Sequence, residues 1–462
     1  YPQLGGFKEV VFTFLSEKEY KRFESELENN PDLSVRSYKN KIIAKNNKIS
    51  ILSNTKAGTF YGIQTLLQLT KLGEVQELEI IDKPQFKWRA YMLDEGRYFQ
   101  GKEVVKHMLN EMAHLKMNVF HWHLTDDAGW RIEIKKYPLL TQIGSKRDST
   151  QINYQGKKWA SEVFDGVPHE GFYTQDDIKE IVAYAENLNI TIVPEISMPG
   201  HSSAAIASYP FLGSSVQPTK VPERFGVGED IFNPASPKTI TFIQDVLKEV
   251  SDLFPGDIIH IGGDECPKDR WENHDLDQDR MREERLSNES ELQSYFIKRI
   301  EGILNSLGKR LIGWDEILEG GLAPGAIVQS WRGMEGGIAA ANAGHEVIMS
   351  PTSHAYFDYY QSKDKDNEPL AIGGYLPLEK VYQFEPVPEE IDKDKVHLIL
   401  GGQGNLWTEY ISTNEKAEYM ALPRMSAMAE VLWSPRHLLN YRSFNKRMKW
   451  QYLRLDLSLI HI

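Results

Sequence analysis

The sequence contains a single cysteine, Cys266, among 462 residues. One cysteine cannot form an internal disulfide, and it cannot build a zinc site from several thiolates. Cys266 follows two acidic residues, where a thiol nucleophile is one interpretation and a small packing residue beside a carboxylate site is the other. Packing is the more common arrangement, so carboxylate chemistry is the first interpretation of this neighbourhood.

Long apolar runs and an excess of basic residues are absent as well. No stretch of eighteen apolar residues occurs, so we expect no membrane-spanning helix. With 53 basic and 66 acidic residues the formal net charge is -13, which argues against nucleic acid and anionic membranes as partners. The chain starts at Tyr1 without a signal-peptide pattern, so we expect a leader to have been removed or left out. A bacterial periplasm or cell surface would suit such a chain, and the sequence leaves the oligomeric state open.

The composition is otherwise that of a globular protein with a sizeable core. Hydrophobic residues make up 41% and charged residues 26% of the chain, and the length fits one large domain plus a smaller one. Ten Trp and 21 Tyr are present. Aromatic rings suit the flat faces of sugars, but they also fill cores, so composition alone decides nothing here.

The chain divides into two predicted domains and a short tail. Residues 1–85 predict a small α/β domain, with strands at 10–14 and 48–52 and a helix at 59–69. A proline and the loss of periodicity at 82–86 mark the boundary. Residues 86–455 form the second predicted domain. Residues 456–462 are interpreted as a non-native or truncated end.

In the second domain, short apolar runs alternate with longer segments of helical periodicity. The predicted strands are 89–94, 118–123, 190–195, 258–263, 310–314, 326–331, 346–350 and 398–402. The predicted helices are 102–115, 175–188, 237–254, 289–307, 336–343 and 416–433. Alternation of this kind predicts parallel βα units. Eight strands predict an α/β fold consisting of a (β/α)8 TIM barrel preceded by the small α/β domain.

Polar or aromatic residues follow every one of these eight strands. In chain order they are Asp94 and Arg97; His121, His123, Asp126 and Asp127; Glu195 and His201; Asp264 and Glu265; Trp314 and Asp315; Trp331; His354, Tyr356 and Asp358; and Asn405, Trp407 and Glu409. The C-terminal ends of barrel strands converge on one face, where active sites lie. The pattern therefore predicts a single catalytic site built from all eight strands.

Two chemistries are compatible with these residues. His121 and His123 share one face of a strand and, with Asp126, Asp127, His201 and His260, would suit a metal-dependent hydrolase; the same residues would equally form a hydrogen-bonded network. Alternatively, a glycosidase needs a protonated carboxylic acid at the leaving oxygen and a second group at the anomeric carbon. The neighbouring Asp264 and Glu265, with tryptophans at three strand ends, favour the glycosidase.

Seven short motifs along the chain carry a family resemblance. They are Met92-Leu93-Asp94 with Arg97; Phe120-His121-Trp122-His123-Leu124-Thr125-Asp126-Asp127 with Gly129-Trp130-Arg131; Pro194-Glu195-Ile196 with Met198-Pro199-Gly200-His201; His260-Ile261-Gly262-Gly263-Asp264-Glu265; Gly313-Trp314-Asp315-Glu316; Ser330-Trp331-Arg332-Gly333; and Asn405-Leu406-Trp407-Thr408-Glu409. Together with the helix at 58–69 they resemble family 20 glycoside hydrolases, the β-N-acetylhexosaminidases, from about residue 58 to 433.

The resemblance implies an exo-acting, retaining enzyme in which the 2-acetamido oxygen of the substrate attacks the anomeric carbon. It implies that Glu265 is the general acid and then the base, that Asp264 holds the acetamido N–H, and that Tyr356 donates to the acetamido oxygen. The remaining implied roles are a relay to Glu265 by Asp126 and His201, enclosure of the methyl group by Trp314, Trp331 and Trp407, and hydroxyl binding by Arg97, Asp358 and Glu409. No metal and no cofactor are implied, and the partner is a glycan or chito-oligosaccharide.

One position departs from the family pattern, and some alternatives remain. Ser197 stands where the family often has Asp, which leaves the support of His201 less certain. A relative that releases a disaccharide and a non-catalytic carbohydrate-binding barrel are the competing interpretations. The preference between GlcNAc and GalNAc does not follow from the sequence.

Overall fold

Eight parallel strands close into a barrel in the computed structural model, which describes residues 9–14, 39–45, 48–70, 76–152, 163–214 and 220–457. The barrel strands are Trp88–Asp94, Val119–His123, Thr191–Glu195, Ile258–His260, Arg310–Trp314, Ile327–Ser330, Val347–Met349 and Ile399–Leu406. The eighth strand pairs with the first, with Gly401 opposite Trp88, so the ring has no free edge. The predicted α/β fold, a (β/α)8 barrel preceded by a small domain, is confirmed.

The longer helices that surround the barrel are amphipathic. Pro237–Leu253 shows why: Phe242, Val246 and Val250 recur at helical spacing and are buried, while Ser236 caps the first turn through the Thr239 N–H, as expected at a helix start. The other longer helices of the barrel domain are Lys102–His114, Gln175–Asn187, Asp275–Glu284, Glu289–Ser306, Glu335–Asn342, Asn414–Ala421, Arg424–Trp433 and Tyr441–Leu457.

Short elements lie in the loops between these strands and helices. The short helices are Leu139–Gln142, Ser203–Ser208, Asp269–Glu272, Thr352–Ala355 and Leu378–Tyr382, and the 3-10 turns are Pro210–Leu212, Asp315–Leu318, Lys365–Asn367, Val396–Leu398 and Arg436–Leu438. Two small antiparallel pairs join Thr125–Asp126 to Gly129–Trp130 and Lys146–Arg147 to His169–Glu170. None of the described helices is long and apolar enough to cross a membrane.

Two predicted boundaries in the barrel differ from the structure for local reasons. The fourth strand ends at His260 because Gly262 and Gly263 adopt φ of 70° and 92°, a conformation that leaves the sheet. The predicted helix 416–433 is two helices, Asn414–Ala421 and Arg424–Trp433. The residue before a proline is disfavoured in helical conformation, and Leu422 before Pro423 is extended.

Two apolar layers hold the barrel together. Outside the ring, the strands and helices share one large core that includes Val105, Phe242 and Leu432. Inside the ring a separate cluster contains Trp88, Ala90, Val119, Val193, Ile312, Ile327, Ile348 and Leu400. These interior residues lie at the start or middle of their strands. The strand ends beyond them are therefore available for polar side chains.

In the part that the structure describes, the small domain contains a four-stranded sheet packed against a helix. Its strands are Glu9–Phe14, Asn40–Lys45, Lys48–Ser53 and Leu78–Asp82, and its helix is Lys56–Thr70. Ile42, Ile49 and Ile51 pack with Leu66 of the helix. The structure contains the two predicted strands and the predicted helix, and adds the strands at 40–45 and 78–82. Residues 458–462 of the predicted tail lie outside the described residues, and 456–457 belong to the last helix.

Candidate active site

Side-chain alternation brings polar groups to the inner, C-terminal end of the barrel. Val119 belongs to the interior cluster, so His121 and His123, which are two and four residues later on the same strand, point to the same side. Glu195 follows the interior Val193 in the same way. His121, His123 and Glu195 are completely or almost completely buried. A layer of polar side chains therefore lies directly above the apolar interior of the barrel.

The predicted pair of carboxylates lies where the fourth strand leaves the sheet. Glu265 has a φ of 43°, which is uncommon for a non-glycine residue and often marks a functional position. The turn separates the two neighbours: 12% of the Asp264 side chain is exposed, against 42% of the Glu265 side chain. Asp264 thus faces the interior of the site, and Glu265 lies at its mouth.

His201 connects this pair to the second strand. Its Nε2 lies 3.6 Å from both Asp264 Oδ2 and Glu265 Oε2. Its Nδ1 donates to Asp127 Oδ2 at 3.0 Å, whereas Asp126 Oδ1 is 3.6 Å away. The predicted relay of Asp126 and His201 stays a prediction: the two lie within ion-pair distance, and the hydrogen-bonded carboxylate is the next residue, Asp127. Backbone and side-chain donors of Ser203 also bind Asp127.

Asp126 is held by two other cations. Arg97 Nε lies 3.0 Å from Asp126 Oδ1, and His123 Nε2 lies 3.0 Å from Asp126 Oδ2. Arg97 also lies 3.4 Å from Asp94 Oδ2 and stacks over the Trp407 ring, 5.0 Å from its centre. Asp126 thus orients the predicted hydroxyl-binding arginine, and its contribution to the His201 relay is its charge and not a hydrogen bond.

Aromatic side chains from four strand ends form the aromatic pocket, defined here as Trp314, Trp331, Tyr356 and Trp407. Trp314 is the most deeply buried, with 1% exposure, and its ring centre is 5.7 Å from that of Trp407. Trp331 stacks on Tyr356 with ring centres 6.1 Å apart, and its Nε1 donates to Glu316 Oε2 at 2.9 Å. The structure brings all three predicted tryptophans together with the predicted tyrosine.

Asp358 and Glu409 are buried carboxylates with free acceptor atoms. Asp358 is 4% and Glu409 7% exposed, and among the described residues nothing binds Asp358 Oδ1 or Glu409 Oε2. Burial raises the pKa of Glu409 to about 7, against the opposing effect of Arg97. Burial and the neighbouring Glu409 raise the pKa of Asp358 well above its usual range. Buried polar atoms normally have partners, so these oxygens mark a place for a polar ligand.

The pKa values of the two neighbouring carboxyl groups move apart in the free site. Burial raises the pKa of Asp264 to about 6, whereas the interaction with His201 lowers the pKa of Glu265. Burial alone would lower the pKa of His201, but Asp126, Asp264 and Asp127 together raise it well above its usual value. The free site therefore holds a cationic His201 between two acids of different strength, and Asp264 keeps a proton more readily than Glu265 does.

Two groups of three residues resemble metal-ligand sets: His121, Glu195 and His260, and Asp126, Asp127 and His201. Ligands around a tetrahedral zinc are roughly 3.3 Å apart, given Zn–N bonds of about 2.0–2.1 Å. His121 Nε2 lies only 2.8 Å from Glu195 Oε2, and the acids of the second group are engaged by Arg97 and His201. Between the two alternatives, these contacts favour a proton-sharing network.

Two uncertain positions from the sequence have clear surroundings. Cys266 is buried with Ile231, Trp271, Met281 and Leu292, and burial raises the pKa of its thiol to about 12, so it is a packing residue. Ser197 donates from its hydroxyl to the Thr125 carbonyl at 2.9 Å. Support of His201 comes from Asp127, and Ser197 instead ties the third strand to the loop after the second.

Comparison with known proteins gives two family matches. Residues 86–436 match the catalytic domain of glycosyl hydrolase family 20, and residues 19–83 match domain 2 of the same family. The chain belongs to glycosyl hydrolase family 20. The family resemblance that the motifs indicate is thereby confirmed.

Family 20 proteins named β-hexosaminidases resemble this chain along most of its length. One from Porphyromonas gingivalis is 48% identical over 426 residues, which are 89% of this chain and 53% of that protein. One from Vibrio furnissii is 37% identical over 410 residues, covering 87% of this chain and 66% of that protein. The chain thus spans between about half and two-thirds of the length of these two relatives.

Solved structures of family 20 proteins share the fold. An exo-β-N-acetylglucosaminidase from Vibrio harveyi is 32% identical with a TM-score of 0.80, and the match covers 98% of this chain and 68% of that one. A β-N-acetylhexosaminidase from Bacteroides fragilis is 30% identical with a TM-score of 0.79, covering 99% and 93%. A mutant β-hexosaminidase from Streptomyces plicatus, solved with the product GlcNAc, is 28% identical with a TM-score of 0.79, covering 98% and 84%.

Sequence reasoning gave no role to three residues of this family 20 site. Glu195, beneath Trp314, and Glu316, which binds Trp331, carry carboxylates into the site. Arg424 is completely buried and donates to the carbonyl oxygens of Phe357 and Tyr359, on either side of Asp358. Glu195 and Glu316 stand inside the quoted motifs, which is a signal that could have found them. Arg424 lies in a later helix and carries no comparable signal.

Proposed function

We propose that the chain is an exo-acting, retaining β-N-acetylhexosaminidase that uses the 2-acetamido group of its substrate as the nucleophile. The observation that carries the proposal is the placement of Asp264 and Glu265. Glu265, with 42% of its side chain exposed, lies at the mouth, where a leaving group would depart, and Asp264, with 12% exposed, lies further in. The named relatives support the substrate class.

The first step breaks the glycosidic bond. The acetamido carbonyl oxygen attacks the anomeric carbon, the bond from that carbon to the leaving oxygen breaks, and Glu265 gives its proton to the leaving oxygen. Asp264 accepts the acetamido N–H and stabilises the positive charge that develops on the oxazolinium ring, while the Tyr356 hydroxyl donates to the reacting oxygen. The aromatic pocket encloses the methyl group and holds the acetamido group against the anomeric carbon.

The second step restores the enzyme. Glu265, now a carboxylate, takes a proton from a water molecule, whose oxygen attacks the anomeric carbon as the bond to the acetamido oxygen breaks. The product keeps the β configuration because the anomeric carbon is inverted twice. His201, held by Asp127, stabilises the anionic form of Glu265 between the steps.

Substrate binding reverses the acid strengths of the free site. A sugar that covers the exposed side chain of Glu265 removes water from it, and burial raises the pKa of a carboxyl group. The acetamido N–H donates to Asp264 and so stabilises its ionised form. Glu265 then becomes the proton donor and Asp264 the anion, as the mechanism requires.

The burial of the predicted hydroxyl-binding residues supports exo action. Arg97, Asp358 and Glu409 are nearly fully buried, and the free oxygens of the two acids suit the hydroxyls of a terminal sugar. Groups that bind the hydroxyls at this end of the ring would favour a terminal sugar over one within a chain.

The test is release of p-nitrophenol from the β-N-acetylglucosaminide and from the β-glucoside, each with and without EDTA. We expect cleavage of the acetamido substrate only, at a rate that EDTA does not change. Equal cleavage of the two glycosides would overturn the substrate-assisted mechanism. Loss of activity with EDTA would favour the metal-dependent alternative.

A further inference from the structure

The proposed mechanism gives no role to Glu195, a buried carboxylate of the site. Glu195 ends the third barrel strand with 0% exposure. Its strand position is level with His123 on the second strand and with His260 on the fourth. The carboxylate thus lies inside the barrel, between the apolar interior and the aromatic pocket.

Glu195 contacts the aromatic pocket through a hydrogen bond from the indole of Trp314. Trp314 Nε1 donates to Glu195 Oε1 at 2.9 Å. The other rings around Trp314 provide only packing: the ring centre of His260 is 4.9 Å away and that of Trp407 is 5.7 Å away. Packing tolerates rotation or sliding of a ring, whereas a hydrogen bond fixes both.

Histidines hold the other side of the carboxylate. Glu195 Oε2 lies 2.6 Å from His123 Nδ1 and 2.8 Å from His121 Nε2. Although burial opposes ionisation, the neighbouring histidines keep the pKa of Glu195 well below its usual range. For His123, burial lowers the pKa, but Glu195 and Asp126 outweigh it and raise the pKa to about 10. Glu195 is therefore anchored in place as the anion of an ion pair.

The Trp314 indole lies at the inner end of the aromatic pocket. With 1% exposure it is more deeply buried than Trp407, at 9%, or the half-buried Trp331. The position of the deepest wall decides how long an acyl group the pocket accepts. If the Trp314 indole shifted by about the length of one methylene group, the pocket would fit a different acyl length. A mismatch of one methylene group changes kcat/KM by roughly 10–200-fold.

We propose that Glu195 is a positioning residue that fixes Trp314 at the inner end of the pocket and thereby sets the preference for N-acetyl over longer N-acyl groups. The inference rests on the proposed function, because it assigns the aromatic pocket to the acyl group of the substrate.

The experiment compares kcat/KM for p-nitrophenyl β-glucosaminides that carry N-acetyl or N-propionyl groups. Glu195→Gln removes the charge that anchors the carboxylate, and Trp314→Phe removes the indole N–H but leaves Glu195 in place. Each variant is expected to lower the acetyl-to-propionyl ratio about fivefold or more. The double variant is expected to lower the ratio no further than the stronger single variant, because both changes act on the same hydrogen bond. Trp314→Phe removes its donor, whereas Glu195→Gln keeps an acceptor oxygen but loses the charge by which the histidines orient it.

Glu301→Gln is the matched control. Glu301 is also a buried carboxylate and accepts the Gly325 N–H at 2.7 Å, but it lies on the outer helix Glu289–Ser306. Its ratio should equal that of the wild type. A general loss of stability would lower the activity on both substrates and leave the ratio unchanged, so the ratio separates positioning from folding.

A wild-type ratio in Glu195→Gln that retains its thermal unfolding temperature would overturn the inference. If Glu195→Gln fails to fold, an unchanged acetyl-to-propionyl ratio in Trp314→Phe would overturn the inference. The inference would also be overturned if the double variant lowered the ratio by the product of the two single effects. Failure of the proposed function is distinguishable, because the wild-type protein would then not cleave the N-acetyl substrate at all.

Discussion

His201 donates to Asp127 at 3.0 Å and presents its other ring nitrogen to Asp264 and Glu265, 3.6 Å from each. One imidazole therefore contacts both carboxylates of the reaction while a third carboxylate holds it from behind. Asp127 is in turn held by the backbone N–H groups of Ser203 and Gly228. This arrangement separates the roles of the two neighbours Asp126 and Asp127, although they are adjacent in sequence.

Asp127→Asn is expected to lower kcat, by about tenfold or more, with little effect on KM. The change removes the hydrogen-bonded carboxylate, one of three acids that keep His201 cationic. In the proposed mechanism His201 stabilises the anionic form of Glu265 between the two steps. Steady-state kinetics on the p-nitrophenyl N-acetylglucosaminide measure both parameters. Asp126→Asn is the comparison and should raise KM as well as lower kcat, because Asp126 holds Arg97 and its charge also supports the cationic form of His201. The same effect of both changes on kcat and KM would contradict the separation.

Glu265→Gln is expected to reduce turnover by about 10²–10⁴-fold while GlcNAc binding stays near the wild-type affinity. An amide of the same shape cannot give or take the proton, but it leaves the proposed sugar-binding groups Arg97, Asp358 and Glu409 in place. Kinetics and titration calorimetry with GlcNAc measure the two quantities. Glu272→Gln, at an exposed position on the next helix, is the control. Near-wild-type turnover would refute the general-acid role.

Glu316→Gln is expected to stabilise the folded protein at neutral pH and to have no such effect at pH 4. Burial raises the pKa of Glu316 to about 8, helped by the charge of Asp264. The folded state therefore keeps a proton that the unfolded chain, with a pKa near 4.5, has already released. The contribution of Glu316 to the free energy of unfolding is fully present below the unfolded pKa and is lost as the pH rises toward 8.

A glutamine has no proton to lose and can still accept the Trp331 N–H. At pH 7 the gain is expected to be on the order of 3 kcal/mol, since one pKa unit corresponds to about 1.4 kcal/mol. Denaturant unfolding at pH 4 and pH 7 measures the difference. An equal effect of the substitution at both pH values would show that Glu316 does not titrate in this range.

The barrel and the composition of its site are predictable from the sequence because both depend on local patterns. Alternating strands and helices predict the ring, and the position of a residue just after a strand predicts that it lies at the C-terminal face. That rule alone was enough to bring Arg97, Trp314 and Glu409 together. The small-domain strands Asn40–Lys45 and Leu78–Asp82 were not predicted, because each carries two charged residues that interrupt its apolar pattern.

The partners of individual site residues are not predictable in the same way. Asp126 and Asp127 are neighbours, and the short antiparallel pair of Thr125–Asp126 with Gly129–Trp130 decides which of them faces His201. No periodicity of the sequence reveals that pair. Arg424 has the sequence appearance of a helix-surface cation, and its burial depends on contacts with carbonyl groups more than 40 residues away in sequence.

Arg424→Lys is expected to impair catalysis and stability together. Arg424 donates to the carbonyl oxygens of Phe357, Tyr359, Leu376 and Met420, and so fixes the backbone that carries Tyr356 and Asp358. A lysine offers three donors at one point and cannot reach all four acceptors. Buried carbonyls left without a donor cost about 1–3 kcal/mol, so the unfolding temperature should fall.

Loss of these hydrogen bonds should lower kcat because Tyr356 is displaced, and should raise KM because Asp358 is displaced. Misplacement of a reacting group by about 1 Å can cost about 10²-fold in rate, so a fall in kcat/KM of tenfold or more is expected. Arg447→Lys is the matched control, because Arg447 pairs with Glu430 at the half-exposed surface of the neighbouring helix. Values of kcat and KM within twofold of the wild type in a destabilised Arg424→Lys would mean that Arg424 holds the fold but does not position Tyr356 and Asp358.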